Sequence, residues 1–186
     1  PVMRTSLVIP QGTVLDTDNA SIALSPDGRR LAYAAREQGG PRRLWVRPMD
    51  SLTAQSLAGT EGATYPFWSP NGSHLGFFAD GKLKTIDLRG GSPRILAEAP
   101  TGRGGRWSRA GTILFAPNIT SPILRVPSGG GRTEPVTAYA PKTETTHRWP
   151  LFLPDGRHFL YVSRAHTAGN AEVGRLMLAS LDAPKA

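Results

Sequence analysis

The chain has 186 residues, a formal net charge of +8 from 22 basic and 14 acidic side chains, and no cysteine. This length suffices for one domain with a substantial core, and the lack of cysteine excludes disulfides, thiol catalysis and thiolate metal sites. No apolar run approaches the roughly 18 residues that cross a bilayer, so no direct membrane insertion is expected. The 21 glycines and 17 prolines separate short apolar segments, a pattern that predicts an all-β repeat protein rather than disorder.

A strand end, a Ser-Pro-Asp-Gly-like turn and a second strand recur four times along the chain. The copies of the turn phrase lie at residues 24–28, 68–72, 107–111 and 152–156. Proline presets φ near −65°, Asp or Asn accepts hydrogen bonds from nearby amides, and glycine takes the positive φ that reverses the chain. Each copy therefore predicts a hairpin, and a recurrence of about 40 residues is typical of β-propeller blades.

Further strand-like segments follow each turn in the same order. The second strands are predicted at 31–33, 75–78, 113–115 and 159–162, the third at 44–46, 83–88, 123–126 and 176–181, and a short fourth at 55–57, 94–96 and 135–137. We therefore predict an all-β propeller of four-stranded antiparallel blades in a single domain or part-propeller over residues 1–186. Four blades are visible, with units at about 19–59, 63–98, 103–138 and 147–182.

The fourth unit has no fourth strand, whereas the chain opens with a strand-like segment at residues 4–10. In ring-shaped propellers an N-terminal strand commonly completes the last blade and hides its edge. Three arrangements fit this pattern. They are a closed four-bladed monomer, a fragment of a six- or seven-bladed propeller, and a homodimer that exchanges the opening strand.

The motifs of common enzyme and cofactor sites are incomplete in this sequence. Residues 76–82 have the glycine and lysine spacing of a phosphate-binding loop, but Leu83 replaces the metal-binding Ser or Thr. Asp16 to Asn19 begins like a calcium loop that the next residues do not continue. The protein is therefore expected not to be an enzyme and to bind no metal or cofactor. A propeller-face lyase or lactonase using His147 and a metal is an alternative. The basic residues are dispersed, so nucleic acid is not an expected partner.

The strongest candidate site comes from superposing the repeats. The innermost strand of each blade lines the central channel, so the residues that enter these strands meet around one opening. Ala20, Thr64, Arg103 and Arg148 occupy equivalent places at these entries. We predict that this channel mouth binds an acidic peptide tail or another anion. Its predicted ligand-binding residues are Tyr65, Arg103, Arg106, His147 and Arg148. The alternative is that these arginines only pair with neighbouring carboxylates or carbonyls.

Residues 24–33 and 68–77 resemble the Trp-Ser-Pro-Asp-Gly-x-x-Leu-Ala-Phe phrase of the TolB-like, WD-repeat-like propeller family. Unit three departs from it, since Arg109-Ala110 replaces Pro-Asp. Residues 147–161 resemble the propeller regions appended to bacterial serine/threonine protein kinases.

These resemblances imply a non-catalytic sensor or interaction module that binds a protein, peptide or small ligand. They also imply a periplasmic or otherwise extracytoplasmic location, with a cytoplasmic one as the alternative. Any kinase or peptidase activity would lie outside this chain. A second interpretation is the substrate-gating propeller of a prolyl-oligopeptidase-type peptidase.

Overall fold

A computed structural model describes residues 9–16, 22–138, 140, 142–166 and 172–182 of the chain. All regular elements in these ranges are β-strands, and they form four antiparallel sheets. This confirms the predicted all-β class and the division into blade-like sheets. Within the same ranges no helix is long and apolar enough to cross a membrane.

The four sheets follow one another along the chain. Sheet I contains β1 (Thr13–Leu15), β2 (Ile22–Leu24), β3 (Arg30–Glu37), β4 (Arg42–Pro48) and β5 (Gln55–Ser56). Sheet II contains β6 (Thr64–Trp68), β7 (His74–Ala79), β8 (Lys82–Asp87) and β9 (Arg94–Glu98). Sheet III contains β10 (Gly105–Trp107), β11 (Thr112–Phe115), β12 (Leu124–Pro127) and β13 (Glu134–Pro135). Sheet IV contains β14 (Thr146–Phe152), β15 (His158–His166) and β16 (Glu172–Ser180).

The predicted turn chemistry is present in the hairpins. In sheet I the Ser25 hydroxyl donates to Asp27 at 2.5 Å, and the same carboxylate oxygen accepts the Arg29 N–H at 3.0 Å. Gly28 has a φ of +72° and donates its N–H to the Ser25 carbonyl. These local hydrogen bonds fix the chain reversal. The strands before and after the turn, β2 and β3, therefore pair directly as an antiparallel hairpin.

The first blade begins earlier than predicted. Strand β1 pairs with the end of β3, Thr13 opposite Glu37, and β2 continues along the same edge with Ile22 opposite Tyr33. The inner strand of sheet I is thus made of two collinear pieces, and the sheet starts at Thr13 rather than near residue 19. Residues 4–8 of the predicted opening strand lie outside the described ranges. Ile9 packs against sheet I.

Three hydrophobic clusters join successive sheets. Trp68 and Phe77 of sheet II pack against Leu44 of sheet I. Equivalent clusters join sheet II to sheet III and sheet III to sheet IV. Large aromatic side chains at one repeat position fill the wedge between twisted sheets. The core is therefore a row of layers between blades rather than one central mass.

The two ends of this row keep apolar side chains exposed. Ile22 and Leu24 of sheet I are 55% and 56% exposed, and Leu176 and Leu178 of sheet IV are 71% and 62% exposed. Similar residues between sheets are buried by a neighbouring blade. The described residues therefore form an arc of consecutive blades, as expected for part of a longer propeller.

Candidate functional site

Two inner strands carry a bulge at the same repeat position. Sheet II shifts register between Thr64 and Phe67, and sheet IV shifts register between Arg148 and Leu151. At each place two inner-strand residues oppose one residue of the next strand, which bends the strand and redirects its side chains. The bulges lie at the start of the inner strands, where the channel mouth was predicted.

The backbone at this repeat position is left-handed in three blades. Tyr65 has a φ of +49°, Trp149 of +54° and Gly104 of +91°. A left-handed backbone costs a residue with a side chain about 1–2 kcal/mol. Because Tyr65 and Trp149 both adopt it, the conformation belongs to the blade architecture and not to one residue. Such strain often lies beside ligand sites.

Two predicted site residues, Tyr65 and Arg103, contact each other at the strand entrance. The Arg103 guanidinium carbon lies 6.0 Å from the centroid of the Tyr65 ring, within the range of a cation–π contact. One of its nitrogens donates to the Gly102 carbonyl at 3.1 Å. The Tyr65 ring is 9% exposed and meets Phe78 edge to face. The guanidinium is therefore held in a defined place above an immobilised ring.

The inner strands of sheets III and IV are joined beside Arg103. The Trp149 N–H donates to the Arg103 carbonyl at 3.1 Å. Arg148, the residue before Trp149, is half-buried, and its Nε donates to the Thr146 hydroxyl at 3.2 Å. The backbone thus places Arg103 next to the segment that carries Arg148.

A shallow cavity of about 270 Å³ opens between sheets I, II and III at the same end of the inner strands. Its wall includes Thr64, Arg103 and also Arg42, which the sequence had not indicated. The Arg42 guanidinium is 2.5 Å from Asp16 and also donates to the Gly62 carbonyl. Asp80 also lines the cavity, and its carboxylate pairs with Lys84. The cavity therefore combines one arginine that is neutralised by a carboxylate, one arginine that is held by carbonyl groups, and one aspartate that is paired with a lysine.

Asp16 occupies the entrance of sheet I, where the sequence superposition had placed Ala20. The Asp16 N–H donates to the Ala34 carbonyl, as the Arg103 N–H does to the Ala116 carbonyl. The superposition placed the entrance four residues before Leu24, as in the other units. In sheet I, however, the connection between β1 and β2 is longer than the bulges of the other inner strands, so the equivalent residue lies farther back in the sequence. The useful signal was the strand-like triplet 13–15 directly before Asp16.

His147 lies inside the protein and not at the mouth. Its side chain is 0% exposed, with Nδ1 2.8 Å from the Thr137 hydroxyl and Nε2 3.1 Å from the Glu144 carboxylate. Burial holds the pKa of His147 below its usual value, and Glu144 opposes this shift.

Arg106 is exposed farther along β10. The structure thus brings Tyr65 and Arg103 into contact, places Arg148 in the adjoining segment of β14, and buries His147. No cluster of three metal-ligating side chains occurs in the described ranges.

Comparisons with known proteins agree with the propeller architecture. No family model matches the chain. The uncharacterized peptidase YuxL of Bacillus subtilis is 27% identical over 139 residues, which are 74% of this chain and 20% of YuxL. A protein assigned as TolB from Agrobacterium tumefaciens superposes with a TM-score of 0.72 at 19% identity, over 88% of this chain and 64% of that one. A puromycin-hydrolyzing peptidase from Mycobacterium tuberculosis gives a TM-score of 0.61 at 14% identity, over 86% of this chain and 28% of the peptidase.

The chain is thus a β-propeller protein. Its fold is that of the TolB propeller, and it spans only part of each protein it resembles, from about a fifth of YuxL to 64% of the Agrobacterium TolB. The prediction that the protein is not an enzyme is wrong on this comparison, because a sequence relative and a structural neighbour are both named peptidases. None of these three proteins is named a kinase, so the kinase context stays a prediction.

Proposed function

We propose that this chain is a ligand-binding propeller and that its inner-strand entrance recognises an acidic peptide segment. The observation that carries the proposal is the Arg103 guanidinium, held 6.0 Å above the Tyr65 ring beside a 270 Å³ cavity. A guanidinium binds a carboxylate through two parallel hydrogen bonds when its plane is fixed. The aromatic ring and the carbonyl groups of Thr101 and Gly102 restrict where that guanidinium lies.

The charge balance at the entrance favours an anionic ligand. Asp16 already neutralises Arg42, and the Asp80 carboxylate in the cavity wall is already paired with Lys84. Within the described part of the chain, the polar contacts of Arg103 are to the carbonyl groups of Thr101 and Gly102 and to no carboxylate. Its positive charge therefore remains available to a carboxylate ligand. Propellers commonly use such openings for peptide or small-molecule ligands.

The similarity to YuxL favours a second, compatible role, the substrate-gating propeller of a peptidase. In that case the acidic segment at the entrance belongs to a peptide substrate. A Gly-x-Ser-x-Gly nucleophile motif encoded in the same gene would favour this role, whereas a protein kinase domain would favour a receptor-like sensor. The extracytoplasmic location and the dimer formed by exchange of residues 4–10 also remain predictions.

The test is a binding titration with two matched peptides, one rich in Asp and Glu and one with Asn and Gln at the same positions. We expect the acidic peptide to bind more tightly, and Arg103→Ala to weaken it by about 10- to 100-fold, as for loss of a charged hydrogen bond. Arg132→Ala removes an exposed arginine from the loop after β12 and serves as the control for general charge. Equal binding of both peptides, or equal effects of the two variants, would refute the proposal.

A further inference from the structure

The hairpin turn of sheet III differs from the other three. The Ser69 N–H donates to the His74 carbonyl across the turn of sheet II, whereas the Ser108 N–H donates to the Thr112 carbonyl, one residue nearer. This turn also carries Arg109 where the other units carry proline. The sheet III turn is thus shorter and has gained a charged side chain.

A third difference is that the turn serine of sheet III lacks the side-chain acceptor that its equivalents in sheets I and II have. In sheets I and II the turn serine donates to the Asp27 or Asn71 side chain, at 2.5 Å and 2.8 Å. Ala110 stands at this position in sheet III and offers no acceptor. The Ser108 hydroxyl still accepts the Thr112 N–H. Its proton therefore has no acceptor among the described side chains of this turn.

A cleft of about 480 Å³ separates this turn from that of sheet II. We call it the turn cleft. Its walls are formed by Ser69, Pro70, Asn71, His74, Trp107, Ser108, Arg109, Gly111 and Ser128. None of these residues is acidic. The cleft lies at the end of β6 marked by Trp68, whereas the proposed peptide site lies at the Thr64 end, so the two sites are separate.

The corresponding junction between sheets I and II is closed by an arginine of the protein itself. The Arg30 guanidinium lies 5.0 Å from the Trp68 ring and donates to the Gly72 carbonyl at 2.6 Å. His74 holds the place of Arg30 in sheet II, and its shorter side chain lies 6.0 Å from the Trp107 ring. Trp107 is half-buried and lines the cleft, so part of its indole faces the cleft beside His74.

The polar groups around the cleft offer mainly donors. The Asn71 side-chain oxygen accepts bonds from Ser69 and Ser73, which directs the amide –NH₂ away from them. Arg109 is exposed, and the buried Ser108 borders the same cleft. A guanidinium, a hydroxyl and an amide donor in a cleft with no acidic wall favour an oxyanion. A partly accessible tryptophan adds a flat apolar surface for a ring.

We propose that the turn cleft binds a small carboxylate whose ring lies against Trp107 and whose carboxylate contacts Arg109 and Ser108. Two sources share this chemistry, a sugar acid and an aromatic acid. Three serines and an asparagine line the cleft, so a hydroxylated ring has more partners there than a purely aromatic one.

The test is an NMR titration of the purified protein with D-glucuronate and with benzoate, using D-glucose and benzyl alcohol as uncharged counterparts. We expect the acids to shift the amide resonances of both turns and the uncharged compounds to have little effect. Stronger binding of glucuronate assigns the site to sugar acids, and stronger binding of benzoate assigns it to aromatic acids.

Substitutions in the sheet III turn test whether the acid binds in the turn cleft. Arg109→Gln removes the cation, and Ala110→Asp restores the acceptor for Ser108 and adds a repelling charge. Each should weaken binding at least about 10-fold, while Arg29→Gln, which changes an exposed arginine of the sheet I turn, should leave it unchanged. Residues 109 and 110 are exposed, and unchanged thermal unfolding verifies each fold. Unshifted turn resonances, equal binding of acid and uncharged counterpart, or equal affinity in all variants would overturn the proposal.

Discussion

Replacing Gly104 by alanine tests whether the entrance joins two blades. Gly104 has a φ of +91°, and an added Cβ would lie 3.0 Å from Cδ1 and 3.3 Å from Cα of Trp149. The left-handed backbone should cost about 1–2 kcal/mol. The close approach should add about 1–3 kcal/mol, because a backbone atom cannot rotate away as a side-chain end does. We therefore expect Gly104→Ala to lower the free energy of unfolding by about 2–5 kcal/mol, measured by urea denaturation.

Gly156→Ala is the matched control for this substitution. Gly156 has a φ of +69° and nothing within 4 Å of an added Cβ, so it should lose only the conformational part, about 1–2 kcal/mol. The double variant Gly104→Ala, Trp149→Ala reports whether removing the indole relieves part of the clash. If Gly104→Ala and Gly156→Ala lose equal stability, sheets III and IV do not meet at the entrance as described.

Three further outcomes are expected. The pKa of His147 is held down by burial, so stability should fall as the pH drops below about 6.5, where the unfolded chain takes up the proton first. His147→Gln should flatten urea midpoints between about pH 7.5 and 5.5, and an unchanged slope would contradict this assignment. Arg30→Ala should cost about 1–2 kcal/mol through loss of its contact with Trp68, whereas Arg30→Lys should recover only part of it in the same assay. Light scattering should show mass increasing with protein concentration, because Leu176 and Leu178 are exposed. The double variant Leu176→Lys, Leu178→Lys should suppress that increase. If the variant and the unchanged protein associate equally, the surface that mediates association lies elsewhere.

The parts of the fold that depend on local chemistry were predictable from the sequence. The Ser-Pro-Asp-Gly phrase determines a hairpin through bonds that span only a few residues, as at Ser25 and Asp27. Apolar runs on both sides of each turn then identify the paired strands. These features recur, so each copy supports the assignment of the others.

The site was predictable only in part, because it depends on register between strands. Tyr65 and Arg103 contact each other across neighbouring sheets, and their role in binding a ligand stays a prediction. His147 does not reach the mouth, because its ring is held by Thr137 from the neighbouring sheet, a contact that no local pattern reveals. The bulge had a readable signal, since Pro66 follows Tyr65 as Pro150 follows Trp149, and proline within an inner strand indicates interrupted pairing.

At the repeated left-handed position of the entrance, the backbone conformation is the same kind in three blades although the side chain differs. Tyrosine, glycine and tryptophan occupy it in successive blades, each with a positive φ, so the strand supplies the backbone conformation and the side chain differs from blade to blade. A propeller built in this way can change its ligand by exchanging this side chain in the blades that have room for one, as at Tyr65 and Trp149, while every strand register stays the same. Selection on binding and selection on folding then act on different atoms of the same residue.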